Sequence, residues 1–96
     1  MNIYLTIVQE FVLDNNGIPT AIAIEHDNIT VATNENDAIE NHIEAVKYYA
    51  DDETFYVTNI EHSVMDGFPI SSIIECKVPD GDNTIIIIET IKKETK

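Results

Sequence analysis

The chain has 96 residues, enough for one domain with a modest core and too few for a second. Eighteen Asp and Glu against five Lys and no Arg give a formal net charge of -13, a field that argues against direct nucleic-acid binding and against anionic membrane surfaces. With 44% hydrophobic and 24% charged residues, the acidity belongs to a chain that folds rather than to a disordered tail.

In chain order, Ile3 to Leu13 is β-branched and apolar enough for a first strand. Asp14-Asn15-Asn16-Gly17 is hairpin chemistry, because Asn and Gly tolerate the positive φ of a tight turn. A second strand runs from Thr20 to Glu25, with Pro19 suited to a strand start or an edge. Asp27-Asn28 predicts another turn before a short third strand, Ile29 to Ala32. Ala38, Ile39, His42, Ile43, Val46, Tyr49 and Ala50 then recur at spacings of three and four, predicting an amphipathic helix over 35–50 capped by Thr33 or Asn34. Three more strands follow, 54–60, 70–78 and 84–91, separated by the turns Asp66-Gly67-Phe68-Pro69 and Pro79-Asp80-Gly81-Asp82. The expectation is an α+β domain spanning 1–96: a mostly antiparallel sheet of about six short strands, one helix, and a short basic tail at 92–96. A compact chain of this length has a radius of gyration near ~12 Å.

Ile85 to Ile88 breaks the alternation of a half-exposed strand, so both its faces should be covered. One helix covers only one face of a sheet. Either the strand is enclosed within the monomer, or loops or a second copy cover the other side, a homodimer being the economical answer.

No apolar run approaches the ~20 residues of a membrane span. The start Met1-Asn2-Ile3-Tyr4 lacks a secretory pattern, and one cysteine makes no internal disulfide, so the expected location is a reducing cytoplasm. Abundant Ile and Asn with scarce Arg, Trp and Gly fit AT-rich coding sequence, as in a phage or a low-GC bacterium.

Catalytic signatures are missing. Cys76 and the serines Ser63, Ser71 and Ser72 stand in no recognisable motif with His26, His42 or His62, and Cys76, within a strand, reads as a buried inert thiol. Glu25-His26 and Glu61-His62 bring imidazole and carboxylate together, but neighbours on a strand point to opposite faces, so each pair offers one metal ligand. Asp80-Gly81-Asp82-Asn83 lacks calcium-loop spacing. The reading is of a protein without enzymatic activity, cofactor or metal.

The acids themselves are patterned. Residues 1–46 hold eight acids and no Lys or Arg, while Lys92, Lys93 and Lys96 sit in the last five positions. Asp37, Glu40, Glu44 and Asp51 form a stripe about 20 Å long at 1.5 Å per residue, interrupted only by Lys47. Asp52 and Glu53 extend it past the helix C-terminus, where the dipole disfavours anions. These six residues are the candidate partner-binding site. In size, acidity, absence of Arg and strand-helix layout the chain resembles the small acidic phage proteins that mimic DNA to block host defence, the Arn-like anti-restriction proteins of T-even phages. Small anti-CRISPR proteins look similar for the same physical reason. The resemblance implies a dimer that occupies the DNA site of a basic host protein, such as a restriction nuclease or nucleoid protein. The alternative is an interaction or assembly protein whose acidity serves solubility and whose Ile-rich strand makes the contact.

Overall fold

The computed structural model of the chain describes residues 2–94, without the side chains of residues 21–28. The elements are β1 (Asn2–Leu13), β2 (Pro19–Ala32), α1 (Glu35–Ala50), β3 (Tyr56–Val64), β4 (Ile70–Lys77) and β5 (Thr84–Glu94). The strands form one antiparallel sheet in the order β2-β1-β5-β4-β3, with α1 packed on one face. This is the expected α+β class, a mostly antiparallel sheet with one helix.

Local chemistry sets most of the boundaries. Asp14 closes the first hairpin by accepting the N–H groups of Asn16 and Ile18 on its carboxylate, and Gly17 takes the positive φ (76°) that a Cβ would oppose. Pro19 opens β2, an edge strand, where a residue without an N–H costs no ladder bond. The turn expected at Asp27-Asn28 is instead a register shift inside β2. Val8 faces Asn28 and Glu10 faces Ile24, so three β2 residues stand against one on β1, and the two predicted segments join into one strand. After β3 the chain reverses through Asp66 (φ 52°) and Gly67 (φ 85°).

β3, β4 and β5 form the predicted meander, with β3 reaching Val64 rather than ending at 60. β5 continues to Glu94, so that Lys92 and Lys93, expected in a basic tail, pair with Tyr4 and Ile3 of β1 instead. The pairing that unites the sheet is β1 with β5, in unbroken register from Asn2↔Glu94 to Val12↔Thr84. Strands of 12 and 14 residues at ~3.3 Å per residue set a long axis. The molecule therefore measures 47 × 25 × 22 Å with a radius of gyration of 14.1 Å, more elongated than the compact value expected from length.

The core lies between α1 and the sheet, in two apolar clusters. Tyr4, Ala32 and Ala38 make one, with Phe68 against it. Val8, Ile74, Cys76, Ile86 and Ile88 make the other, covered by Ala45, Val46, Tyr49 and Phe55. Alternation buries Ile86 and Ile88 under the helix and turns Ile85 and Ile87 to the opposite face, where they are only half-buried. β5 is thus central but is not enclosed within the monomer.

Candidate functional site: the outer face of α1

Each end of α1 is held by its own chemistry. The Asn34 carboxamide oxygen accepts from the Asp37 N–H at 2.8 Å while its amide donates to Asp37 Oδ2 at 2.9 Å, satisfying an orphan donor of the first turn. At the other end Asp51 is the C-cap, its N–H donating to the Lys47 carbonyl. Asp52 then accepts both the N–H (2.8 Å) and the hydroxyl (2.7 Å) of Thr54 on one carboxylate oxygen. These bonds hold its carboxyl below the usual range and turn the chain toward β3. One of the three acids that run past the helix end therefore has a local structural use.

The inner face is fastened by a polar row that separates the two apolar clusters. His42, 4% exposed, shares hydrogen bonds through Nδ1 with Thr90 Oγ1 (2.9 Å) and through Nε2 with Ser72 Oγ (2.7 Å). Thr90 in turn bonds Thr6 at 2.8 Å, and Ser72 bonds His62 Nδ1 at 2.8 Å. The row joins α1 to β1, β5, β4 and β3. Burial, reinforced by the nearby His62, holds the His42 imidazole below its ordinary pKa. As a neutral ring, His42 donates from one nitrogen and accepts at the other, a pattern the hydroxyls can meet.

With His42 pointing inward, the 100° step of a helix fixes what points outward. Asp37, Glu40, Glu44 and Asp51 fall within about 60° of one another on the side opposite His42, and all four are exposed. Glu53 is also exposed, whereas Asp52 is half-buried in its turn. The structure thus brings the predicted stripe together on one line, with Asp37 and Asp52 partly committed to capping and turning. The expected packing face is shifted: Ala45 joins it and Ile43, at 47% exposure, leaves it, because the sheet covers a narrower arc than the apolar positions span.

Tyr48, absent from the predicted site, is 72% exposed and lines a shallow concavity with Glu44, Lys47, Asp51 and Asp52. Its ring meets Tyr49 edge-on at 5.2 Å between centroids. The signal for it lay in the helical spacing, which sets Tyr48 four residues after Glu44 and three before Asp51, beside the acids rather than among the core positions.

The stripe carries four carboxylates over about 21 Å of helix, where a B-DNA duplex carries roughly 12 phosphates and one strand roughly 6. Its line charge is nearer to that of a single phosphate backbone than to a duplex.

Elsewhere the chemistry is quiet. Burial pushes the Cys76 thiol up to about 11, with Glu10 adding to the effect. Glu61 and His62 point to opposite faces, paired with Ile73 and Ser72 respectively, and the side chains of Glu25 and His26 lie outside the described residues. Among the described residues no group of three His, Cys, Asp or Glu could hold a metal ion, and no helix is long and apolar enough to cross a membrane. Compared with known proteins, the chain matches no family, no curated protein and no solved structure.

Proposed function

We propose that this chain is a binding protein without enzymatic activity that occupies the nucleic-acid surface of a basic cytoplasmic partner, using the outer face of α1 as a stand-in for a phosphate backbone. The observation that carries the reading is the alignment of Asp37, Glu40, Glu44 and Asp51 on one exposed line directly opposite the buried anchor His42. A rigid mount matters, because charges held in place lose less side-chain entropy on binding than charges on a mobile tail. Tyr48 supplies the exposed aromatic that such interfaces use as an anchor. The line charge favours partners that grip one strand's phosphates. The resemblance to anti-restriction proteins points to a host restriction nuclease, nucleoid protein or CRISPR-type factor as the class of target.

A displacement assay tests this. Proteins retained on immobilised duplex DNA from a lysate of the cells that carry the chain are challenged with wild type and with the combined variant Glu40→Gln, Glu44→Gln, Asp51→Asn, Glu53→Gln. Release of a basic protein by wild type and not by the variant is expected. Equal release by both, or release by neither, overturns the proposal. A second reading, an assembly protein, is favoured by the uncovered apolar face of the sheet, where Ile29 and Val31 are 59% and 58% exposed.

A further inference from the structure

We infer that the face of the sheet opposite α1 is covered by the same face of a second copy of this chain, giving a helix-sheet-sheet-helix dimer. Alternation places Leu5 opposite Val31, Ile7 opposite Ile29, Leu5 opposite Ile91 and Ile73 opposite Ile87 on that face, the β1 and β5 isoleucines Ile7 and Ile87 meeting on the diagonal between Gln9 and Glu89. They are half-buried or exposed, and none belongs to the core clusters beneath α1. With the flanking isoleucines the band presents on the order of 500 Å² of apolar surface, the upper end of what a monomer leaves in water. Pairing two bands and their polar rim removes more than ~1,000 Å², the size a specific interface needs.

Charge points to the same occupant. Most of the molecule is strongly anionic, yet among the described side chains this face carries Glu61, Glu75 and Glu89 against Lys77 and Lys93, one excess negative charge in a chain of net charge -13. A basic partner finds little to attract it here, whereas a like copy meets little repulsion. Layers stacked at roughly 10 Å put the two α1 helices about 30 Å apart, with their acid stripes facing outward. That distance is several times the ~8 Å screening length at physiological salt, so the stripes do not oppose association. The dimer would present two acid faces on opposite sides.

Sedimentation equilibrium of the full chain at about 100 μM, at physiological salt, tests the inference without any partner, so its failure leaves the acid-face reading standing. Twice the 10.8 kDa chain mass is expected for wild type. Val31→Lys alters a side chain already 58% exposed and so spares the monomer fold, while Ile87→Lys strikes the middle of the band. Both are expected to weaken association at least 100-fold while keeping wild-type far-ultraviolet circular dichroism. If Ile87→Lys fails to fold, Val31→Lys decides. A monomeric wild type, or a folded Val31→Lys that remains dimeric, overturns the inference.

Discussion

Replacing His42 by Leu gives a ring-sized apolar side chain that cannot bond Thr90 or Ser72. Both hydroxyls keep one partner, Thr6 and His62 respectively, so neither is left unbonded. The cost is two hydrogen bonds at a net ~1 kcal/mol each, or about 2 kcal/mol at pH 8. Against a total stability of roughly 5–14 kcal/mol for a chain of this length, that is a large fraction, and it lowers the urea midpoint by more than about 1 M. The pH dependence is more diagnostic. Thr6, Thr90 and Ser72 face His42 without charge, and His62 is the titratable group in its row. Because folding depresses the His42 pKa, the unfolded chain binds the proton first as pH falls below 6.5. Wild type therefore loses stability through that window, by at most about 1.4 kcal/mol per pH unit for the one proton, and His42→Leu does not. The gap between the two proteins should narrow from pH 7.5 to 5.5 in urea melts followed by circular dichroism. A gap that stays constant or widens refutes the assignment of His42 as a buried neutral anchor.

Three further outcomes follow from particular contacts. Cys76 should resist Ellman's reagent at pH 8 in the folded protein and react fully in 6 M guanidinium, since its thiol titrates at about 11 and is buried; stoichiometric labelling of the native chain contradicts this. Asn34→Ala removes the cap of α1 and should cost about 1 kcal/mol, read as a lowered thermal midpoint, while Asn34→Ser, which keeps an acceptor for the Asp37 N–H without adding a second carboxylate beside Asp37, keeps most of it. Thr84 Oγ1 is buried beside the Cys76 thiol, a weak donor at best, and has no other hydrogen-bond partner among the described residues, so Thr84→Val should be neutral or stabilising by up to ~1 kcal/mol in the same assay.

The helix was legible because it combines a 3.6-residue period with a capping residue, and its bounds, 35–50, were read directly. The first hairpin and the final meander were legible from turn chemistry. The β1–β5 pairing was not, because it joins positions more than 70 residues apart and local periodicity carries no information on partners. The Asp27-Asn28 signal was real but marked an irregularity within a strand rather than its end. His42 was read correctly as facing the sheet. The hydroxyls that receive it had a trace in Tyr4-Thr6-Val8, Ser72-Ile74-Cys76 and Ile86-Ile88-Thr90, where a polar residue occupies a core-facing position of each strand. Exposure of the acid stripe followed from helical spacing, whereas the capping role of Asp37 and the turn role of Asp52 needed side-chain geometry.

The measurement closest to the central claim is the salt dependence of the proposed complex, between this chain and whichever basic protein the displacement assay releases from DNA. Binding through a carboxylate line in place of phosphates predicts that the logarithm of affinity falls linearly with the logarithm of salt concentration. The combined variant Glu40→Gln, Glu44→Gln, Asp51→Asn, Glu53→Gln should flatten that slope and weaken binding at least tenfold at physiological salt. An affinity that is indifferent to salt, or a neutralised helix that binds as tightly as wild type, contradicts the account.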